Sequence, residues 1–385
     1  MPDAAKKQVE IGLVLQGGGA LGAYECGAIT ALLDMMDEAA AHGAPIVLKA
    51  VSGVSIGAIN AACVVGAKNR GDARRRLAAL WEALALETPF FWPPAASRDL
   101  SLFGLPGFYA PRPDVWAFPT WTHWYDTSPL LATLTRHVDF AALNTSATAF
   151  IVTAVDVESG KLARFSNRAS DGEPPTEIGP KHILASGSLP PQYPWTGIAG
   201  HRFWDGGIVD NTPLGDVIEA FTPGDAVDRL LIVMNLYPLR ARLPRNLADV
   251  EDRVHELAFG NRTRQDGAVA RRINALVETV EELATLIPAK SLESRLQARI
   301  DEARRYKVID AITHIDMQDP DAAAPPGAQR PSDDQHGLRD FSPATVTRRR
   351  ADGHAVALAK LRPLFETHGL MTETRGRRAA AATRV

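Results

Sequence analysis

Cysteine is scarce in this chain, and long hydrophobic runs are absent from it. Two cysteines among 385 residues, Cys26 and Cys63, exclude a disulfide framework or a cysteine-ligated zinc site, and their small apolar surroundings are typical of buried thiols. No stretch approaches about 18 uninterrupted apolar residues, which excludes a membrane-spanning helix. Residues 1–10 lack the apolar core of a signal peptide, so we expect a cytoplasmic protein.

A strong net charge is lacking as well. Lys and Arg together number 42 and Asp and Glu 45, which gives a net charge of −3 and no overall attraction to nucleic acid. The tail at 372–385 contains Arg375, Arg377, Arg378 and Arg384; such a segment can touch anionic lipid, although its composition is more typical of disorder. We expect no nucleic-acid partner, and the composition makes no prediction about the oligomeric state.

What the sequence does contain is a Gly-x-Ser-x-Gly pentapeptide at a predicted strand-to-helix turn. The apolar run Ile46–Val51 predicts a buried strand, and the small residues of Ser55–Gly66 predict a helix. Between them, Gly53 and Gly57 permit the sharp turn of a nucleophile elbow, with Ser55 at a helix N-terminus. The pentapeptide alone is a weak signal, since a tight turn with a capping serine has the same sequence.

A glycine-rich turn near the N-terminus is the second motif. Ile11–Leu15 is predicted to form a strand that runs through Gly17, Gly18 and Gly19 into a helix at Ala23–Ala39. Successive glycines at a helix N-terminus expose N–H groups that can hold a phosphate or an oxyanion.

The phosphate interpretation arises because Gly17-x-Gly19-x-x-Gly22 matches the dinucleotide-binding fingerprint. That fingerprint requires an Asp or Glu at the end of the next strand, about 20 residues on, to hold the ribose. The next predicted strand ends at Ala50-Val51-Ser52-Gly53, without a carboxylate. The nucleotide interpretation is therefore the weaker one, and we expect no cofactor and no metal.

The third motif is Asp205-Gly206-Gly207. An Asp before two glycines often makes only a turn, but the same turn can hold a carboxylate in an unusual conformation, aimed at a partner. Asn211 or Thr212 is then predicted to be the N-cap of the next helix, with Pro213 at its first position.

These three motifs, in this order, resemble those of the patatin-like phospholipases over about residues 8–240. The resemblance implies an α/β fold, a three-layer sandwich around a mostly parallel sheet, with a helical C-terminal extension. It implies that Ser55 is the nucleophile, that Asp205 is its general base, and that the oxyanion hole is formed by Gly17, Gly18 and Gly19. The motif glycines carried over are Gly22, Gly53, Gly57, Gly206 and Gly207.

Weaker matches and one departure accompany the resemblance. Residues 151–160 are similar to the central strand and hairpin of the family, and residues 185–190 are similar to the segment before its Asp motif. Leu21 stands where many members carry Lys or Arg just before the last glycine of the first loop. This difference removes one contact to an anionic head group, so it bears on phospholipid preference more than on catalysis.

The implied activity is hydrolysis of an acyl ester, as in a phospholipase A or lysophospholipase, with a lipid substrate and peripheral membrane contact. A water-soluble ester or a polyhydroxyalkanoate-type polyester fits the same motifs, and a nucleotide-binding protein or a non-catalytic scaffold is the alternative of another class. A Ser-His-Asp triad is the mechanistic alternative, because the order Ser, Asp, His is that of α/β-hydrolases. Its candidate histidines are His255, His314, His336, His354 and His368.

The chain is predicted to divide into five parts. They are a catalytic domain at 8–240, a helical extension at 241–317 that ends in an edge strand, a flexible linker at 318–340, a C-terminal helix at 341–371 and a disordered tail at 372–385. Within the first part, residues 87–126 are rich in aromatics and proline, which argues against a regular element. This segment is either a lid or an acyl-binding wall beside the site, or a long loop pinned to the sheet.

Overall fold

A computed structural model describes most of the chain. The described residues are 7–87, 100–169, 173–224, 226–237, 243–244, 247–260, 262–286, 294–303, 307–317 and 338–371. The predicted tail at 372–385 and most of the predicted linker therefore lie outside the described residues, as does the first part of the aromatic segment, 88–99.

Strands and helices alternate at the start of the chain, as the hydrophobic pattern predicts. They are β1 (Gln8–Leu15), α1 (Gly22–Ala41), β2 (Ile46–Gly53), α2 (Ile56–Val65) and α3 (Arg70–Leu84). Leu13 and Leu15 of β1 belong to one core cluster and Val14 belongs to another, because successive side chains of a strand point to opposite faces.

The middle of the chain contributes shorter elements. They are β3 (Ala110–Pro111), β4 (Tyr125–Asp126), α4 (Ser128–His137), α5 (Phe140–Thr145), β5 (Ala149–Asp156), β6 (Leu162–Ser166), α6 (Pro180–Ser186), β7 (Thr196–Ile198), β8 (His201–Asp205), α7 (Leu214–Ala220) and β9 (Val227–Asn235). Beyond them lie α8 (Leu247–Gly260), α9 (Arg262–Leu286), α10 (Ser294–Ala303), β10 (Ala311–Asp316) and α11 (Pro343–Thr367).

Eight of the described strands form one mixed sheet, in the order β10-β9-β1-β2-β5-β8-β7, with β6 also paired to β5. The pairs from β10 to β5 are parallel, whereas β6, β8 and β7 join antiparallel. Because Gly53 pairs with Val152 and Asp205 pairs with Ala154, the ends of β2 and β8 lie at nearly the same level of β5. The sheet therefore brings the Ser55 and Asp205 motifs to the same edge.

Helices cover both faces of the sheet, which confirms the predicted α/β sandwich. The larger core cluster lies between one face and helices α1, α2 and α11, and the smaller one packs the other face against α7. Cys26 and Cys63 are both fully buried free thiols, and burial raises the pKa of each to about 12. No helix within the described residues is long and apolar enough to cross a membrane.

The C-terminal elements complete the same core. Strand β10 extends the sheet in parallel with β9, and helix α11 crosses α1 so closely that added Cβ atoms would meet backbone. A Cβ at Gly27 would lie 1.9 Å from Arg350 O, and one at Gly353 would lie 2.0 Å from Tyr24 O. Glycine on both helices thus allows the backbones to touch, which anchors α11 on the helix that follows the glycine-rich turn.

Candidate active site

Ser55 occupies a strained turn between β2 and α2. Its backbone angles are φ 54° and ψ −120°, a region that side-chain-bearing residues rarely adopt and that costs roughly 1–3 kcal/mol. Ser55 is the N-cap residue of α2, yet its side chain makes no capping hydrogen bond. The alternative interpretation, a capping serine, is therefore wrong, and the side chain is left for another partner.

The two glycines of the elbow are required by close approach of backbone. A Cβ at Gly53 would lie 2.4 Å from Gly57 O, and one at Gly57 would lie 2.6 Å from Leu15 O. No L side chain fits at either position without a backbone shift, so the first strand, the second strand and the elbow are locked together.

Asp205 ends β8 in a buried position, with 3% of its surface exposed. Its Oδ1 accepts a hydrogen bond from the N–H of Gly207 at 2.7 Å, and its carboxylate is also hydrogen-bonded by the side chain of Ser55. Burial raises the pKa of Asp205 to about 7, against the lowering effect of these two hydrogen bonds. The Asp-Gly-Gly turn thus holds a carboxyl group of raised basicity against the serine hydroxyl.

The glycine-rich turn lies against Ser55, since a Cβ at Gly17 would come within 3.0 Å of Ser55 Cβ. The N–H of Gly17, however, donates to Asn211 Oδ1 at 2.9 Å. This differs from the prediction that all three glycines supply free N–H groups. Within the described part of the chain, the N–H groups of Gly18 and Gly19 donate to no protein acceptor. Gly19 adopts φ 54°, and the following residue is tied to the segment that precedes α11 by the bond from Ala20 N–H to Leu338 O at 2.9 Å.

Asn211 has a role that the sequence analysis missed. The analysis predicted Asn211 or Thr212 as a helix N-cap, but α7 begins at Leu214 with Pro213 as N-cap, so that prediction is wrong. The amide of Asn211 instead accepts from Gly17 N–H and donates to Gly17 O at 3.3 Å, and the hydroxyl of Thr212 accepts from Gln16 Nε2 at 2.9 Å. Both side chains thus bond to the glycine-rich segment and not to the end of α7.

A small-residue segment at the C-terminal end of α6 contacts both motifs, and its role was also missed. The N–H of Ser55 donates to Ser186 Oγ at 3.0 Å, and the N–H of Asp205 donates to Ser188 O at 3.0 Å. A Cβ at Gly187 would lie 3.8 Å from Ser55 Oγ, so the segment passes over the serine hydroxyl. The run of small residues at 185–188 is the feature that could have indicated such a close approach.

The histidines proposed for a triad have their partners elsewhere. His314 Nδ1 contacts Asn235 Nδ2, His255 stacks on Phe259, His354 pairs with Asp34 and His368 pairs with Asp228. His336 lies outside the described residues, and His201, which precedes the Asp motif, bonds Asp156. Among the residues that the structure covers, no group of three His, Cys, Asp or Glu side chains is arranged to hold a metal ion.

Leu21, which stands where many family members carry Lys or Arg, lies in the core of this structure. Leu21 is buried in the larger core cluster, with 5% of its surface exposed. A cation there would be buried among apolar side chains, so the leucine is an ordinary core residue of this chain.

Sequence comparison agrees with this geometry. The sequence model of the patatin-like phospholipase family matches residues 13–218, which is more than half of the chain and includes all three motifs. The chain belongs to the patatin-like phospholipase family. Membership implies a lipid acyl hydrolase activity. The part of this patatin-like chain beyond the matched residues supplies β9, β10 and α11, which complete the sheet and the larger core.

Two solved structures are distantly similar. VipD from Legionella pneumophila is 14% identical, with 95% of this chain and 68% of that chain covered and a TM-score of 0.39. ExoU, in its complex with SpcU from the type III secretion system of Pseudomonas aeruginosa, is 16% identical, with 92% and 75% covered and a TM-score of 0.29. Scores this low carry no argument about function. No curated protein sequence matches the chain.

Proposed function

We propose that this protein is a serine acyl-ester hydrolase that cleaves lipid esters with a dyad of Ser55 and Asp205. The observation that carries the proposal is the hydrogen bond between the side chain of Ser55, held at positive φ, and a buried carboxyl group whose pKa is raised to about 7. A base of that pKa is matched to proton transfer near neutral pH. A serine hydroxyl beside such a base is an activated nucleophile.

The reaction proceeds through an acyl-enzyme. Ser55 Oγ bonds to the ester carbonyl carbon while its proton passes to Asp205, and the carbonyl oxygen becomes an oxyanion. When the carbon–oxygen bond to the leaving alcohol breaks, Asp205 returns the proton to that alcohol. Water then attacks the acyl-enzyme with Asp205 again as base, which releases the carboxylic acid and restores Ser55.

The oxyanion is stabilised by backbone N–H groups of the glycine-rich turn. Gly18 and Gly19 are the donors we assign, because their N–H groups donate to no acceptor among the described residues, whereas that of Gly17 is bound to Asn211. A preorganised donor of this kind contributes about 3–4 kcal/mol to transition-state binding. Gly17 helps to position the turn through its bond to Asn211 and does not donate its N–H to the oxyanion.

A hydrolysis panel over acyl length and head group tests the proposal. It should include a lysophospholipid, a phospholipid, a triacylglycerol, a water-soluble ester and a hydroxyalkanoate oligomer, each with the wild type and Ser55→Ala. We expect turnover of long-acyl lipid esters that is lost in Ser55→Ala, and the products identify which ester bond is cut. Turnover of the water-soluble ester or the oligomer alone would contradict the lipid assignment, and unchanged turnover by a folded Ser55→Ala would contradict the nucleophile.

A further inference from the structure

Several large apolar side chains are exposed in the described part of the aromatic segment. We call this set the aromatic surface; its members, with their exposed fractions, are Phe103 (76%), Val115 (69%), Trp116 (80%), Phe118 (56%) and Trp124 (48%). Monomeric proteins rarely leave such residues grouped without a binding role. Isolated exposed apolar residues need no explanation, but five within 22 residues of the chain do.

Internal contacts hold the part of the aromatic segment that carries Phe118 and Trp124. The guanidinium of Arg112 lies 4.7 Å from the ring centre of Trp121 and pairs with Asp114 at 2.5 Å, and Trp121 Nε1 donates to Asp114 O at 3.2 Å. The ring of Phe118 lies 5.5 Å from that of Trp121 and 5.9 Å from that of Trp124. We call the Arg112–Asp114 pair and Trp121 the brace; the charges of Arg112 and Asp114 neutralise each other.

The base of the same segment is fixed to the body of the protein. Phe108 and Tyr109 are buried, and their rings contact that of Tyr193 at 5.9 and 5.6 Å. The N–H of Leu130 donates to Phe108 O at 3.1 Å, and the hydroxyl of Thr133 donates to Gly107 O at 2.8 Å. The base is therefore pinned to the core, as the loop interpretation predicts, and four of the exposed side chains follow it at 115–124.

The aromatic surface is joined to the segment that covers the nucleophile. The N–H of Trp124 donates to Pro191 O at 3.0 Å, and the N–H of Tyr125 donates to Gln192 O at 3.0 Å. That chain leads directly back to Ser186 and Gly187, which contact Ser55. A further exposed apolar residue, Ile208, follows Asp205 by three residues and is 44% exposed.

We propose that the aromatic surface docks on the interface of a lipid aggregate and holds the Ser55 site against it. This inference rests on the proposed function, because a lipid ester reaches the enzyme from such an aggregate. Tryptophan and phenylalanine suit this role: their rings enter the apolar layer, and the indole N–H stays at the polar boundary. With Arg112 and Asp114 paired, the surface carries no net charge from its brace, so a zwitterionic phosphatidylcholine interface is the occupant that fits.

The test uses flotation with phosphatidylcholine vesicles in the Ser55→Ala background, so that no hydrolysis alters the vesicles. The full chain with Ser55→Ala should float with the vesicles. Adding Trp116→Ala and Phe118→Ala should lower the partition coefficient about tenfold or more, since two large apolar side chains no longer enter the lipid. The control adds Leu276→Ala and Leu283→Ala instead, which removes two side chains of α9 that are 66% and 54% exposed. We expect the control to float like its parent.

Activity measurements separate this inference from the proposed function. With Ser55 restored, Trp116→Ala/Phe118→Ala should hydrolyse a monomeric short-chain ester within about twofold of the wild-type rate, but it should lose the rise in rate when substrate forms micelles. If the protein bound vesicles but hydrolysed no ester, the proposed hydrolase function would be wrong, whereas the lipid-docking role of the aromatic surface would stand. Three results would overturn the lipid-docking role of the aromatic surface. They are hydrolysis of the monomeric ester by a protein that binds no vesicles, an equal loss of vesicle binding in the α9 control, and a stable dimer that dissociates in Trp116→Ala/Phe118→Ala.

Discussion

The side-chain amide of Asn211 binds both polar groups of the Gly17 backbone, accepting from its N–H at 2.9 Å and donating to its carbonyl at 3.3 Å. Asn211 follows the Asp-Gly-Gly turn, so this pair links the loop that carries the proposed base to the loop that carries the proposed oxyanion hole. The link fixes the distance between the two loops without taking part in proton transfer. Asn211 is therefore a positioning residue in this account.

Asn211→Ala should slow turnover more than it weakens substrate binding. Loss of both bonds frees the glycine-rich turn to shift, and a displacement of about 1 Å in a catalytic group can cost about 100-fold. We expect kcat to fall about 10- to 100-fold with KM within about threefold of the wild type. Asn69→Ala is the matched control, because Asn69 also accepts a backbone N–H, that of Asp72 at 2.9 Å, but caps α3 away from the site. An equal fall in kcat in both variants would contradict the positioning role.

The pH dependence of kcat/KM should report the ionisation of Asp205. The carboxylate must be deprotonated to accept the proton of Ser55, and its pKa is raised to about 7 by burial. We therefore expect kcat/KM to rise with pH to a half-maximum near pH 7. Asp216 is a second carboxyl with a raised pKa, about 6, and it is partly buried, so Asp216→Asn is the control. If the pH of half-maximal kcat/KM shifted in Asp216→Asn, the ionisation would belong to Asp216, which would contradict its assignment to Asp205.

Asp205→Asn should stabilise the protein at high pH although it abolishes the base. The folded pKa of about 7 lies above the unfolded value of 3.8, so the folded state binds more protons between these values and loses stability as pH rises through that window. Asparagine has no charge to bury and can still accept the Gly207 N–H. The gain in free energy of unfolding should be about 2 kcal/mol larger at pH 8.5 than at pH 5.5. Urea unfolding at both pH values measures it, and an equal gain would contradict the raised pKa.

Ser55→Gly should be more stable than Ser55→Ala. Both remove the hydroxyl, but alanine keeps a Cβ at φ 54° and ψ −120°, whereas glycine adopts that region without strain. We expect a difference of about 1 kcal/mol in the free energy of unfolding, with both variants inactive. If Ser55→Ala proved the more stable variant, the turn would not be strained in the way the backbone angles indicate.

The main strands were predictable because they are nearly continuous apolar runs. β1, for example, was predicted at Ile11–Leu15 and forms Gln8–Leu15, where every residue but the first is buried. The elbow was predictable for a different reason, since Gly53 and Gly57 are placed by backbone contacts that leave no alternative residue. In both cases a local physical requirement, burial for the strand and close backbone contact for the glycines, restricts which residue types can occur.

The second layer of the site was not predictable in the same way. Asn211 precedes a proline at a helix start, which is the usual sequence of an N-cap, and only the fold brings it to Gly17 across 194 positions of the chain. The same holds for Leu338, whose carbonyl binds Ala20 N–H after α11 has packed on α1. Polar side chains and carbonyls take the nearest partner in space, and single-sequence patterns do not encode that distance.

The central claim, a nucleophilic Ser55 activated by Asp205, is tested most directly by labelling with a serine-reactive fluorophosphonate and locating the adduct by peptide mass spectrometry. The account predicts one adduct, on Ser55, that forms faster as pH rises through about 7 and at least about 100-fold more slowly in Asp205→Asn. An adduct on another residue, or labelling of folded Asp205→Asn at the wild-type rate, would contradict it.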